Sequence, residues 1–244
     1  MSKILLIHGS CHGAWCFRDL IPALDRLGHD AYAIDLPGHG QNPAPIETIT
    51  LDAYRDAILD AIDEPVYLLG HSMAGFPISA AAEAAPDKIK RLIYLCAYAP
   101  QTGRSLVDMR KSAPRQPLLE AIDKTPDGLG FSVNLDHIER VFYHDCPADA
   151  IELARQNLCV QPIAPQATPI TLTDRYHSVA KSYIRCANDQ TIPPEYQSTM
   201  VEHWPAQDVY HMDTSHSPFF AAPDDLAQMI DQIIQQDTIQ QENG

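Results

Sequence analysis

The segment VYLLGHSMA, residues 66–74, decides the fold. An apolar run that favours a strand ends in Gly-x-Ser-x-Ala, and the small residues at 75–82 favour a helix directly afterwards. The pattern predicts a strand, a sharp turn and a helix, with Ser72 at the apex of the turn. Gly70 and Ala74 are small because a larger side chain there would collide with the adjoining strand and helix. The segment indicates a nucleophile elbow; the alternative is a serine that only caps a helix.

An activated serine needs a base, and the base needs an acidic group that orients it. Asp189 follows an apolar strand predicted at 182–187 and precedes a helix predicted to begin at Pro194. These neighbours would put its carboxylate at the carboxyl edge of a parallel sheet. We identify Asp189 as the candidate orienting acid; the alternative is a solvated loop carboxylate.

His216 lies in the loop after the last predicted strand, at 208–212, from where its imidazole could reach Ser72. His203 and His211 are nearby alternatives. His211 falls inside the predicted strand and His203 in the preceding predicted helix, where neither ring is free to swing. His216 is therefore the predicted base of a catalytic triad.

The turn that follows the amino-terminal strand at 3–7 supplies the last element of this chemistry. It has the sequence HGSCHGAW, residues 8–15, and contains two glycines. We expect the backbone N–H of Ser10 in this turn, and that of Met73 directly after the nucleophile, to form an oxyanion hole. Removing one donor from such a hole typically costs about 3–4 kcal/mol in transition-state stabilisation.

Together these residues resemble the α/β-hydrolase superfamily, in which the triad follows the chain order Ser, Asp or Glu, His. The run CHGAW at 11–15 is the most specific pointer within it. It is similar to the group that contains plant methylesterases, hydroxynitrile lyases and their bacterial esterase relatives. The resemblance extends from Lys3 to about Ile234 and is weakest between Gln101 and Ala180. Ala74, where a glycine is usual, implies only a slight backbone adjustment.

The resemblance implies a three-layer α/β-hydrolase fold, with a mostly parallel sheet of about six strands flanked by helices and an inserted helical cap. The alternation of predicted strands and helices favours the same architecture. The alternation stops at 99–179, where prolines separate short predicted helical pieces, such as those at 118–122, 135–142 and 148–157. We expect a single domain with a core of residues 1–98 and 180–244 and a cap of residues 99–179 that covers the catalytic edge. Alternatively, the insertion is peripheral and does not contact substrate.

The implied activity is hydrolysis of small carboxylic esters through an acyl-enzyme, without a cofactor or metal. Methyl or aryl esters are favoured, with larger esters and lactones as alternatives. Hydroxynitrile lyases carry a threonine in place of Gly9 and a lysine in place of Ser217, so the sequence argues against cyanohydrin cleavage. A further alternative is a non-catalytic small-molecule receptor, because hydrolase scaffolds sometimes serve as hormone-binding modules.

The predicted substrate pocket combines positions near the catalytic residues with apolar side chains of the insertion. Gly9 and Ser217 flank the predicted oxyanion turn and the predicted base. Leu118, Phe131 and Phe142 could line an apolar acyl or alcohol pocket, or could equally form the cap's own core.

Charge composition limits the classes of partner. Lys and Arg total 17 against 32 Asp and Glu, which gives a formal net charge of −15. Nucleic acid and anionic membranes are therefore excluded as expected partners, and strongly anionic substrates are disfavoured unless the local charge of the pocket overrides the overall field. Related proteins are frequently dimers, so a homodimer is compatible with the resemblance, although nothing in the sequence fixes an interface.

Hydropathy and cysteine spacing predict a cytoplasmic protein. No stretch approaches the ~20 apolar residues of a membrane span, and the apolar run near Met1 is too short for a signal sequence. The six cysteines show no C-x-x-C spacing, so neither a disulfide framework nor a zinc site is predicted. His8 and His12 are four residues apart, but Gly9 places them in a turn and argues against a helical metal pair.

Overall fold

The computed structural model describes residues 1–242, with side chains through residue 237. Within that range the strands, in chain order, are β1 (Lys3–Ile7), β2 (Asp30–Ile34), β3 (Val66–His71), β4 (Ile89–Leu95), β5 (Ile122–Lys124), β6 (Gly130–Val133), β7 (Gln161–Pro162), β8 (Ala180–Cys186) and β9 (Val209–Met212). The α-helices are α1 (Leu20–Arg26), α2 (Leu51–Asp60), α3 (Gly75–Ala84), α4 (Leu106–Ser112), α5 (Ala148–Asn157), α6 (Ala164–Ala167), α7 (Asp174–His177), α8 (Pro194–Met200), α9 (Pro218–Ala221) and α10 (Pro223–Glu242). Residues 243–244 of the predicted core lie outside the described residues.

Six of the strands form one fully parallel sheet in the order β2-β1-β3-β4-β8-β9. Strand β1 lies between β2 and β3, so the chain leaves β1 toward one edge of the sheet and later returns to its other side. Ligands of open parallel sheets bind outside the carboxyl ends of the strands at such a reversal. The turn that contains Ser10 follows β1, and Ser72 follows β3.

The sheet is buried on both faces, as expected for parallel strands covered by helices. Side chains alternate along β1, so that Ile4 and Leu6 contribute to one core cluster while Leu5 and Ile7 contribute to the other. The first cluster includes residues of α1 and α10, and the second includes residues of α2 and α3. The three-layer α/β-hydrolase fold predicted from the sequence is confirmed.

The insertion, residues 99–179, contains more than the predicted helices. Besides its helices, the insertion has strands β5, β6 and β7, which form a small antiparallel sheet that the sequence did not predict. The predicted helix at 148–157 is α5, whereas that at 118–122 is a 3₁₀-helix (Pro117–Ala121). The predicted helix at 135–142 is mainly a π-helical turn, Glu139–Tyr143.

A close backbone approach explains the missed sheet. A Cβ on Gly130 would lie 2.6 Å from Val160 Cγ1 and 3.0 Å from the carbonyl oxygen of Gln161, so the glycine lets β6 approach β7. Side chains of the insertion enter both core clusters of the large sheet, among them Phe142 in one and Leu106 in the other. No helix within residues 1–242 is long and apolar enough to cross a membrane.

Candidate active site

Ser72 occupies a strained turn between β3 and α3. Its φ of 57° lies in the left-handed region that non-glycine residues rarely adopt. A Cβ on Gly70 would lie 2.8 Å from Ile78 Cδ1, and a Cβ on Gly75 would lie 1.9 Å from the carbonyl oxygen of Tyr98. The backbone contact leaves room only for glycine at position 75, and a side chain at position 70 would have to displace Ile78 and crowd the backbone of Ala74. The local geometry is that of a nucleophile elbow.

The structure brings the three predicted catalytic side chains into one hydrogen-bonded chain. His216 Nε2 lies 2.9 Å from Ser72 Oγ, and His216 Nδ1 lies 2.7 Å from Asp189 Oδ2. All three residues are buried: His216 is 1 % exposed, Ser72 6 % and Asp189 0 %. This arrangement can move a proton from the hydroxyl to the imidazole while the carboxylate holds the ring.

The Asp189 carboxylate is held by hydrogen-bond donors besides His216. Its Oδ1 accepts the backbone N–H groups of Thr191 (2.6 Å) and Ile192 (2.9 Å), and its Oδ2 accepts Nε2 of Gln197 (2.8 Å). Gln197 is fully buried on α8, and its Oε1 also accepts the N–H of the last residue of β8. Sequence analysis missed Gln197; the available signal was a polar residue one helical turn after Pro194.

His216 is also held by a contact to its backbone carbonyl and by a neighbouring aromatic ring. His71 Nε2 donates to the carbonyl oxygen of His216 at 2.8 Å, so this ring braces the loop and does not act as a base. The Phe142 ring stacks on the His216 ring, with centroids 5.7 Å apart. Of the two alternatives left open for Phe142, the structure favours packing in the core over lining the cavity, because its ring lies on the imidazole and the residue is not among those that line the cavity.

The turn after β1 is held by contacts to both nitrogens of one buried histidine. His12 Nδ1 donates to the carbonyl oxygen of Ser10 at 2.7 Å, and His12 Nε2 accepts the Tyr143 hydroxyl at 2.6 Å. Burial lowers the pKa of His12 to about 4, so the ring is neutral near pH 7. Gln166 Nε2 donates to Ser10 Oγ at 2.8 Å. Among the described residues, the Ser10 N–H has no hydrogen-bond acceptor.

Two further residues predicted in the pocket, Gly9 and Ser217, are buried beside Ser72 and His216. A Cβ on Gly9 would lie 2.9 Å from Ser72 Cβ and 2.8 Å from His71 Nδ1, so Gly9 backs the elbow. Ser217 is fully buried, and its Oγ has no partner among the described residues. Neither residue lines the cavity.

A cavity of about 280 Å³ opens onto the nucleophile. Ser10 and Ser72 line it, as do Leu118 and Phe131, which were predicted as pocket residues. Most of the remaining wall comes from α4, β5 and α6 of the insertion. Sequence analysis missed α4, although Ser105-x-x-Asp108 has the spacing of a capping box before an apolar residue.

A group of possible metal ligands overlaps the triad. Among the described residues, ligand atoms of His71, Cys96 and His216 lie within 4.8 Å of one another. Both His216 nitrogens already bond Ser72 and Asp189, and burial raises the pKa of the Cys96 thiol far above its usual value. A metal here would displace the hydrogen-bonded chain, so the donor set does not fit a resident ion.

Comparisons with known proteins identify a matching family model and similar sequences and structures. The model of the alpha/beta hydrolase family matches residues 4–229. Methylesterase 7 of Arabidopsis thaliana is 29 % identical over 245 residues, covering 93 % of this chain and 94 % of the relative. The structure of polyneuridine aldehyde esterase is 26 % identical with a TM-score of 0.84, covering 96 % of this chain and 99 % of that one.

A pyrethroid hydrolase from Sphingobium faniae is also 26 % identical with a TM-score of 0.84, covering 95 % of this chain and 96 % of that one. The family model spans both arms of the sheet and the insertion between them. This chain therefore belongs to the alpha/beta hydrolase family.

Proposed function

We propose that this chain is a serine-dependent carboxylic ester hydrolase in which Ser72 is the nucleophile, His216 the base and Asp189 the orienting acid. The observation that carries the proposal is the unbroken hydrogen-bond chain from Asp189 through His216 to Ser72, which ends at the cavity. The similarity to proteins named methylesterase and esterase supports ester hydrolysis.

The first half of the reaction forms an acyl-enzyme. His216 Nε2 takes the proton of Ser72 Oγ as the oxygen attacks the ester carbonyl, and Asp189 stabilises the imidazolium that results. The N–H groups of Ser10 and Met73 stabilise the negative charge on the carbonyl oxygen. The tetrahedral intermediate collapses, the ester C–O bond breaks, and the leaving alcohol takes its proton from His216.

The second half uses water as the nucleophile. His216 takes a proton from water, the hydroxide attacks the acyl-enzyme, and the acid product leaves as Ser72 regains its proton. The protein itself supplies nucleophile, base and oxyanion donors, so this mechanism uses no cofactor.

Cyanohydrin cleavage by the same residues is not favoured. The threonine that lyases carry in place of Gly9 would press against Ser72, because even a Cβ at this position lies 2.9 Å from Ser72 Cβ. Position 217 is fully buried, so a lysine there would have to bury its ammonium group.

Replacing the nucleophile tests the proposal. In Ser72→Ala, kcat/KM for a small aryl ester should fall at least about 10⁴-fold, and labelling by a fluorophosphonate probe should disappear. Ser178→Ala, which removes an exposed hydroxyl on the far end of α7, is the matched control and should keep both. Hydrolysis that persists in Ser72→Ala would remove the assignment, and wild-type labelling without turnover would favour the receptor alternative.

A further inference from the structure

The cavity wall carries a concentration of positive charge that the whole chain does not. The net charge of the chain is −15, yet Arg110, Lys111 and Lys124 line the cavity and no Asp or Glu does. Among the described side chains, none of these three cations forms an ion pair, whereas seven of the other fourteen Lys and Arg residues do. Lys111 still acts on Asp108 of the same helix, where its charge adds to the Ser105 hydrogen bonds that lower the pKa of that carboxyl. An unpaired guanidinium that is half-buried in a cavity is an anion-binding group.

Helix α4 holds Arg110 in place. Leu106, Val107, Arg110 and Lys111 share one face of this helix, since positions i and i+4 are neighbours, and that face lines the cavity. Ser105 and Asp108 form a complete capping box at its start. Arg110 therefore lies on a helix whose first turn is stabilised by a capping box.

Ser72 is less exposed to solvent than the three positively charged residues of the cavity wall. Ser72 is 6 % exposed, Arg110 is half-buried, and Lys111 and Lys124 are exposed. The positive charge of Arg110 also acts on the buried Tyr98 hydroxyl, opposing the rise in its pKa that burial causes. The positive charge of Arg110 therefore acts on groups inside the cavity as well as at its exposed rim.

We propose that the substrates are esters that also carry a carboxylate, joined to the ester group through an apolar chain or ring, with the ester at Ser72 and the carboxylate at Arg110. This inference rests on the proposed function and narrows its substrate class. The local field of three cations would attract such an anion although the overall surface charge is negative. Hydrolysis adds water across the ester C–O bond and yields an alcohol and an acid, with the original carboxylate unchanged.

Matched ester pairs test the preference. With the anion on the acyl side, the pair is monomethyl adipate and methyl hexanoate; with the anion on the alcohol side, it is 6-acetoxyhexanoate and hexyl acetate. In at least one pair the wild type should favour the anionic ester by about tenfold in kcat/KM at low salt, and added salt should reduce the ratio. Equal or lower activity on the anionic member of both pairs would overturn the inference.

A charge-removing variant locates the interaction. Arg110→Gln should lower the anionic-to-neutral ratio of kcat/KM by about tenfold, because a charge-assisted hydrogen bond is lost. Lys90→Gln removes the same charge from an exposed position on β4 outside the cavity and should leave the ratio unchanged. Equal reductions in both variants would assign the preference to overall charge and overturn the role of Arg110.

Binding without turnover separates this inference from the proposed function. Titration calorimetry of Ser72→Ala with adipate should detect binding, and the added Arg110→Gln change should weaken it about tenfold. If the wild type hydrolyses none of the four esters, the proposed function fails, while adipate binding that depends on Arg110 still supports the anion site. Adipate binding that is absent, or unaffected by Arg110→Gln, overturns it.

Discussion

The carboxyl edge of the large sheet and the insertion at 99–179 tolerate side chains very differently. At the edge, an added Cβ on Gly75 would lie 1.9 Å from a carbonyl oxygen. In two exposed loops of the insertion, an added Cβ on Gly103 or Gly128 would meet nothing within 4 Å, whereas within its small sheet a Cβ on Gly130 would lie 2.6 Å from Val160 Cγ1. The comparison teaches that close packing fixes the turn that carries Ser72, whereas the exposed loops of the insertion have room to vary.

The two regions nevertheless meet at a few specific contacts. Thr191 Oγ1, next to the Asp189 loop, donates to the carbonyl oxygen of Val141 at 2.6 Å. Asp145 Oδ2 accepts the N–H of Ser215 at 2.7 Å, directly before His216. The π-helical turn of the insertion therefore supports the loops that carry the acid and the base. Such turns are frequent at functional sites.

The largest expected effect is a loss of kcat in Asp189→Asn, at the carboxyl edge of the large sheet. Thr191 N–H and Ile192 N–H occupy one oxygen of the carboxylate, so the new amide must place its carbonyl there and its NH₂ toward His216. That arrangement puts the imidazole proton on Nε2, facing Ser72, where the ring can no longer accept the serine proton. We expect kcat to fall about 10⁴-fold, near 5 kcal/mol, in steady-state kinetics with unchanged circular dichroism.

Asp136→Asn in the insertion is the matched control for this change. Asp136 is exposed, and its replacement should leave kcat within about twofold. A loss of less than about tenfold in Asp189→Asn would contradict the role of Asp189 as the orienting acid.

Next in size is a stability difference between two glycines. Gly75→Ala forces a methyl group into the backbone of Tyr98 and should reduce the free energy of unfolding by about 3 kcal/mol or more. Gly128→Ala has free space but keeps a φ of +73°, so it should cost about 1 kcal/mol. Urea unfolding of both variants measures the difference, and equal losses would show that the edge is no tighter than the insertion.

The difference between the two regions also explains which elements could be predicted from the sequence. The strand-turn-helix around Ser72 and the loops of Asp189 and His216 could be predicted, because each follows an apolar strand whose carboxyl end must reach the same edge. Local patterns sufficed there.

The insertion could not be predicted to the same depth, because its elements are short and depend on distant partners. Strand β7 has two residues and forms only by pairing with β6, about thirty residues earlier. Phe142 was placed in the pocket since apolar character alone does not distinguish a ring that lines a cavity from one that packs on an imidazole. Arg110 was missed because its significance lies in its place on the cavity wall, where no described Asp or Glu lines the cavity beside it, and only a folded chain reveals this.

Acid should lower the free energy of unfolding through a histidine at a contact between the two regions. His12 links Ser10 on the edge to Tyr143 of the insertion, and its pKa is lowered to about 4 by burial. The unfolded chain binds a proton near pH 6.5 and the folded chain does not, so stability is complete above pH 6.5 and falls as the pH drops toward 4. His12 alone should remove about 2 kcal/mol between pH 7 and pH 5.

His12→Asn isolates this contribution. Asparagine keeps a donor near the position of Nδ1 but does not titrate, so the variant should lose about 2 kcal/mol less than the wild type between pH 7 and pH 5 in urea unfolding. His8 and His71 are also buried with lowered pKa values and should preserve some acid sensitivity. If the free energy of unfolding depends on pH in the same way in His12→Asn and in the wild type, protonation of His12 does not cause the loss of stability in acid.

The smallest expected effect tests whether the insertion positions the oxyanion turn. Gln166 donates to Ser10 Oγ at 2.8 Å, and Gln166→Leu removes this hydrogen bond while keeping an apolar side chain of similar size in the cavity wall. One such bond contributes about 1 kcal/mol, so kcat for a neutral ester should fall about fivefold. Ser10→Ala removes the same bond and keeps the backbone donor. If the bond acts by positioning the turn, the double variant should lose no more activity than either single variant, whereas additive losses would separate Gln166 from the oxyanion turn.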